Sequence, residues 1–159
     1  MLIYTQLYGY TGVSGKIKKG HVDMNIIEID LNNHLTTTFF NPSPHRVYPH
    51  EPPLSERKIP LTYTCENCGR EISFKTSDFE KHISSDNTNL VEADNSAFKD
   101  FMKSANMDNL SFLDFYCPEC NQATRFLFKG GPSGYWGEFF YQIEKIIVKK
   151  NNSNFEKDI

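Results

Sequence analysis

Four cysteines, arranged in two pairs of identical spacing, are the residues of this chain best suited to chemistry. The pairs are Cys65-Glu66-Asn67-Cys68 and Cys117-Pro118-Glu119-Cys120, and they contain every cysteine of the sequence. Two thiolates separated by two residues can bind one metal ion, and four sulfur ligands form the closed tetrahedral set that structural Zn²⁺ favours. We therefore predict one structural Zn²⁺ per chain. Its predicted ligands are Cys65, Cys68, Cys117 and Cys120.

The residue that follows each pair supports a metal-binding turn. Gly69 follows the first pair and Asn121 follows the second. Both residue types tolerate positive φ, which a β-branched side chain does not. We predict that the backbone turns back at these two positions, so that its N–H groups point at sulfur.

Two other uses of the cysteines stay open at this point, an iron site of rubredoxin type and a redox dithiol. The redox interpretation is the weaker one, because a thioredoxin-like pair lies at a helix N-terminus and here strand-like segments flank both pairs. Disulfides are not expected, because the start of the chain shows no secretory signal and no apolar run reaches the roughly 18 residues of a membrane span. We expect a cytoplasmic protein that does not enter a membrane.

Composition limits the function classes further. The 159 residues carry a net charge of −3. That charge provides no general basic field for binding phosphate backbones. Thirteen Phe, eight Tyr and one Trp supply large side chains for a core, and bound metal would supplement that core.

The elements that must position the cysteines can be traced from the pattern of residues. Residues 59–64 and 71–75 flank the first pair, and residues 112–116 and 123–128 flank the second; all four segments are rich in β-branched and aromatic residues. Each pair is therefore predicted to lie between two strands. Residues 138–148 allow a strand or a helix, and their β-branched and aromatic content favours a strand.

Between the two pairs, an insertion at residues 76–108 is predicted to contain two helices. Ser77 and Glu80 fit a capping box at the start of the first. The second runs from about Ser96 to Ala105, with Asp94 or Asn95 as its cap. Its apolar residues fall at helical spacing; they are Phe98, Phe101, Met102 and Ala105.

The rest of the chain divides into an N-terminal segment and a tail. Residues 1–58 are predicted to be β-rich, with a strand at 22–31. A proline-rich arm is predicted from residue 41, because six of the eight prolines lie between residues 41 and 60. Residues 59–150 form the predicted metal-binding domain. Residues 151–159 are polar and are predicted to be a flexible tail.

Taken together, the two cysteine hairpins and the strand that follows them resemble a zinc ribbon. The resemblance covers residues 59–148 without the helical insertion. It implies a module that is not an enzyme and that binds proteins or nucleic acids. We accordingly expect an α+β fold, in which the β-rich N-terminal segment packs on a Cys₄ zinc ribbon with a two-helix insertion. The expected function is that of a zinc-stabilised intracellular binding module, with another protein as its partner.

A second resemblance, to metal-dependent HNH nucleases, stays open as an alternative. It would make His82 the general base and Asn89 a stabilising residue, with Asn121 in place of a metal-binding histidine. Lys81 stands where these enzymes have an acid, and no histidine follows Cys120. The competing interpretation is that Phe79 docks a helix while His82 faces solvent.

Two surface features give the remaining alternatives. A nucleic-acid-binding ribbon would place its cations on one face; the candidates are Lys16, Lys18, Lys19, Arg70 and Arg125. A protein-binding surface would involve Tyr135 and Trp136 on the glycine-rich segment 130–137, because Trp and Tyr are common at interface hot spots. The same two aromatic side chains could instead fold back onto the ribbon.

Overall fold

The computed structural model describes residues 25–40, 58–83, 85–132 and 139–151. Within these ranges the fold mixes seven strands with three helices, as expected for an α+β protein. The helices are α1 (Leu31–His34), α2 (Thr76–Glu80) and α3 (Glu92–Ser104). The strands are β1 (Ile26–Ile29), β2 (Phe39–Phe40), β3 (Lys58–Thr64), β4 (Glu71–Lys75), β5 (Ser111–Tyr116), β6 (Ala123–Pro132) and β7 (Phe139–Lys149).

Antiparallel pairing organises the strands into one larger sheet and one hairpin. The larger sheet has the order β1-β7-β6-β5, and the short strand β2 also pairs with β7. Strands β3 and β4 form the separate hairpin. The four predicted strands around the cysteines are confirmed, and so is the preference for a strand over a helix at β7.

The central strand β6 is buried on both of its faces. Successive side chains of a strand point to opposite sides. Phe126 and Phe128 pack with the β3–β4 hairpin, whereas Leu127 packs with α3 on the other side of the sheet. This alternation places Arg125, which has the same parity as Leu127, on the side that α3 covers.

Two apolar clusters hold these layers together. The first lies between the hairpin and the sheet and is rich in aromatic rings; Tyr63 and Phe74 each lie 5.3 Å from the ring of Phe126. The second lies under α3 and includes Phe98 and Met102. Packing of buried rings against one another adds to the stabilisation from the area they remove from water.

Both predicted helices exist, but their starts differ from the prediction. Helix α2 begins one residue before Ser77, and the carboxylate of Asp78 accepts the backbone N–H of Lys75 at 2.7 Å. The predicted capping box of Ser77 and Glu80 is therefore wrong. Asp78 caps the helix because it lies three residues after Lys75, which precedes the helix, and at this spacing its carboxylate can reach back to the Lys75 N–H.

Helix α3 also starts earlier than predicted, at Glu92, and Val91 precedes it. The two predicted caps are engaged elsewhere. Asp94 accepts hydrogen bonds from the Tyr116 hydroxyl and the Lys149 ammonium, both at 2.7 Å. Asn95 accepts one from Arg125. Asp94 and Asn95 therefore bind residues that are distant in sequence and do not cap the helix.

Of the predicted strand at 22–31, residues 22–24 lie outside the described residues, and the described part ends two residues earlier than expected. Strand β1 ends at Ile29, and Asp30 caps helix α1 by accepting the N–H of Asn32 at 2.9 Å. Leu31 therefore begins a helix instead of ending a strand. Over the residues that the structure describes, no helix combines the length and the apolar character needed to cross a membrane.

Candidate metal centre

The four cysteine sulfurs converge at one point between the two hairpins. Cys65 Sγ lies 3.6 Å from Cys120 Sγ, and Cys68 Sγ lies 3.6 Å from Cys117 Sγ. All four sulfurs lie within 4.8 Å of one another. A tetrahedral ion with Zn–S bonds near 2.3 Å needs sulfurs about 3.8 Å apart, so the observed spacing fits one ion. A disulfide needs about 2.05 Å, and the four thiols are free.

Identical backbone turns place the sulfurs. In the first, the N–H of Cys65 donates to the carbonyl of Arg70 at 2.8 Å, and the N–H of Gly69 donates back to Cys65 at 2.9 Å. In the second, the N–H of Cys117 donates to Gln122 at 3.0 Å, and the N–H of Asn121 donates back to Cys117 at 2.8 Å. The predicted backbone geometry of two equivalent cysteine turns is therefore confirmed.

Positive φ allows both turns to close. Gly69 has a φ of 76° and Asn121 a φ of 61°, in the left-handed region that glycine and asparagine tolerate best. The returning backbone then reaches sulfur: the N–H groups of Asn67 and Cys68 contact Cys65, and the N–H of Arg70 contacts Cys68. Donors aimed at sulfur favour the thiolate form, which is the form that binds metal.

The two cross-hairpin thiols Cys65 and Cys120 differ in acidity. Burial raises the pKa of the Cys65 thiol to about 12. Burial also acts to raise the pKa of Cys120, but hydrogen bonds from the Asn67 side chain and from the Gln122 backbone outweigh it and lower the pKa to about 7. A cation at the centre would favour the thiolate at every position.

A buried amide connects the two turns. Gln122 is completely buried, and its Nε2 donates to the Glu66 carboxylate at 3.0 Å and to the Lys149 carbonyl at 3.3 Å. Its Oε1 lies 3.4 Å from Cys65 Sγ. Lys150 donates to the other oxygen of Glu66 at 3.1 Å. The hydrogen bond from Gln122, assisted by Lys150, lowers the pKa of Glu66.

The nuclease alternative finds no support at its two named residues. His82 is buried, with 7% of its surface exposed and with no hydrogen-bond partner for Nδ1, so the expectation that it faces solvent is wrong. The Asn89 amide donates to the backbone carbonyl of Asp114 at 3.0 Å. Across the described ranges, only the four cysteines form a group of three or more potential metal ligands.

Arg125, a candidate for nucleic-acid contact, is instead completely buried. Its Nε and Nη2 donate to the two carboxylate oxygens of Asp114 at 2.6 and 2.7 Å, and Nη2 also donates to Asn95 at 2.8 Å. The guanidinium carbon lies 4.0 Å from the ring centre of Phe112 and 5.3 Å from that of Phe98. Arg125 therefore joins α3 to the sheet and cannot contact a nucleic acid.

The other predicted surface residues fall in two groups. Arg70 is exposed, and its Nη1 lies 3.6 Å from a carboxylate oxygen of Glu119 in the opposite turn. Tyr135 and Trp136 lie outside the described residues, and so do Lys16, Lys18 and Lys19. Their predicted roles remain hypotheses.

Comparison with known proteins gives no match: no family model matches this chain, and neither a curated protein nor a solved structure does. The four-cysteine cluster is consistent with a Cys-x-x-Cys zinc-binding site, and the donor set can hold a metal ion.

Proposed function

We propose that this chain is a zinc-stabilised, intracellular binding module of zinc-ribbon type, not an enzyme, whose partner is another protein. The observation that carries the proposal is the convergence of four thiols from two equivalent turns. Thiolate sulfur selects zinc or iron over magnesium and calcium, and a tetrahedral four-sulfur set is characteristic of structural zinc. One Zn²⁺ per chain is the proposed occupant.

Strand order supports the zinc-ribbon assignment. The hairpins β3–β4 and β5–β6 each carry one cysteine pair at their turn, and β7 pairs antiparallel with β6. Residues 76–108 contain α2 and α3 and connect the two hairpins. We assign residues 59–150 to this domain, residues 1–58 to an N-terminal segment and residues 151–159 to a tail.

The closed ligand set argues against catalysis at the metal. Catalytic zinc sites use three protein ligands and keep the fourth position for water or substrate. Here four sulfurs would complete the coordination, and neither histidine nor carboxylate belongs to the cluster. A bound ion would supply folding energy and rigidity. The chain's surface would then carry the function.

A protein partner fits the surface better than a nucleic acid does. The net charge is −3, and Arg125 is completely buried. By contrast, Phe39 is 53% exposed and stacks on Phe140 with ring centres 5.8 Å apart. Exposed aromatic side chains are more typical of protein interfaces than of phosphate contacts.

Elemental analysis of the purified chain tests the metal assignment. We expect about one zinc per chain and no stoichiometric iron, because the four sulfurs form a single closed set. Removal of zinc by a strong chelator at neutral pH should unfold the domain, as judged by circular dichroism, and added Zn²⁺ should restore it. A content of one iron per chain would instead indicate a rubredoxin-type iron site. Folded protein without any metal would refute both.

A pull-down from native lysate tests the partner class. The wild-type chain, Phe39→Ser and Trp136→Ala serve as baits, and Val91→Ser is the control because Val91 is also exposed, at 60%, but precedes α3. We expect specific proteins that survive nuclease treatment, are retained by Val91→Ser and are lost with Phe39→Ser or Trp136→Ala. Recovery that disappears after nuclease treatment and falls steeply with salt would favour the nucleic-acid alternative.

A further inference from the structure

Outer contacts of the candidate centre cross from one cysteine turn to the other. The Oε1 of Gln122, in the second turn, accepts a hydrogen bond from the Cys65 thiol of the first at 3.4 Å, and its Nε2 donates to Glu66 of the first turn at 3.0 Å. The hydrogen bond to Glu66 is the one that does not depend on the protonation of Cys65. The Asn67 side chain of the first turn hydrogen-bonds to Cys120 of the second. Each turn therefore supplies an amide side chain that contacts a cysteine of the other turn.

Gln122 is the more constrained of these two amides. Asn67 is exposed, whereas Gln122 is completely buried. Both N–H groups of the Gln122 amide have acceptors, the Glu66 carboxylate and the Lys149 carbonyl. These two acceptors fix which end of the amide faces Cys65. Its backbone carbonyl also closes the second turn by accepting the N–H of Cys117 at 3.0 Å.

The equivalent position in the first turn shows what is specific to Gln122. Arg70 likewise closes its turn through a backbone carbonyl, and its side chain likewise reaches an acidic residue of the opposite turn, Glu119. The Arg70–Glu119 pair is exposed, with 57% and 60% of the side chains accessible. An exposed pair is screened by solvent and contributes little. The Gln122–Glu66 hydrogen bond differs because Gln122 is completely buried.

We propose that Gln122 is a positioning residue of the metal centre, whose amide N–H groups, by donating to Glu66 and to the Lys149 carbonyl at the end of β7, hold the first cysteine turn against the second. This inference rests on the proposed zinc site. Groups outside the ligand set orient the ligands, and their removal commonly costs 10- to 100-fold in metal affinity. Lys150, which donates to Glu66, extends the same chain of contacts.

The test uses the full chain loaded with Zn²⁺ or with Co²⁺, whose absorption reports ligand geometry. Gln122→Met keeps the length of the side chain and removes the amide. We expect its zinc affinity, measured by competition with a chromophoric chelator, to fall about 10- to 100-fold. The cobalt ligand-field and thiolate charge-transfer bands should shift as well, because the first turn is no longer held against the second by the hydrogen bond to Glu66. A side chain that only filled space would leave those bands unchanged.

Glu66→Ala and Glu119→Ala form a matched pair of controls. Each removes one carboxylate from a cysteine turn, but only Glu66 contacts Gln122. We expect Glu66→Ala to weaken zinc binding and shift the cobalt bands, and Glu119→Ala to behave like the wild type. If Gln122→Met does not fold, this comparison decides the question. Equal affinities and spectra for the two variants would then overturn the proposal.

Wild-type titrations separate the two proposals. A wild-type chain that binds neither Zn²⁺ nor Co²⁺ refutes the metal site itself. A wild-type chain that binds both, together with a Gln122→Met variant of unchanged affinity and spectrum, refutes only the positioning role.

Discussion

Replacing Cys117 by serine is expected to unfold the metal-binding domain at room temperature. Cys117 is buried at the turn between β5 and β6, and its sulfur lies 3.6 Å from that of Cys68. A serine hydroxyl is a much weaker ligand than a thiolate, so the variant loses several kcal/mol of coordination energy. Small domains have only about 5–15 kcal/mol of total stability. Thermal melting followed by circular dichroism, with zinc analysis in parallel, measures the effect.

Pro118→Ala is the control for that substitution. Pro118 is exposed and adjacent to Cys117 but offers no ligand, so this variant should retain one zinc and melt close to the wild type. A Cys117→Ser variant that contains no metal and still melts like the wild type would show that the cluster does not stabilise the fold. Zinc retained at one per chain, together with a wild-type melting temperature, would show that the fold does not depend on Cys117 as the fourth ligand.

The two cysteine turns could be predicted from sequence because their determinants are local. The spacing within each pair places two sulfurs on one turn, and Gly69 and Asn121 supply the positive φ that the turn needs. The meeting of the two turns is not a local property. It is predicted because one tetrahedral ion needs four ligands and each turn supplies two. The strands on either side were predictable for the same reason, since β-branched and aromatic runs bounded by turns need no long-range information.

The outer contacts of the site could not be predicted, because they join residues that are distant in sequence. Gln122 meets Glu66, which lies 56 positions away, and Lys149, which lies 27 positions away. No local pattern indicates such a contact. The same limitation explains the helix caps: Asp94 and Asn95 have the right chemistry to cap α3, but Tyr116 and Arg125 bind them instead.

The burial of Arg125 could have been anticipated in part. A hairpin that turns through Cys117 and Gln122 pairs Tyr116 with Ala123, and the same register sets Asp114 opposite Arg125. Opposite charges at facing positions of two strands form a favourable pair. The sequence did not indicate that α3 covers this face of the sheet and removes the pair from water.

The second large expected effect is the loss of the buried Arg125–Asp114 ion pair. Arg125→Met is expected to lower the free energy of unfolding by about 3–5 kcal/mol, because it leaves the buried Asp114 carboxylate without its cationic partner. The Asn95 side chain loses its donor as well. Urea unfolding of the zinc-loaded chain measures the loss. Hydrogen exchange should localise it to α3, while the zinc content stays at one per chain.

The double variant Arg125→Met with Asp114→Leu distinguishes two causes of destabilisation, an unpaired buried carboxylate and altered packing at position 125. Removing both charges eliminates the unpaired carboxylate, so the double variant should be more stable than Arg125→Met alone. Lys145→Met is the surface control: Lys145 forms a 2.7 Å ion pair with Glu28 that joins β7 to β1, but both side chains are partly exposed. Its loss should cost less than about 1 kcal/mol. If Arg125→Met were no more destabilising than Lys145→Met, α3 would be held to the sheet by its apolar contacts alone, and the buried network would contribute specificity without stability.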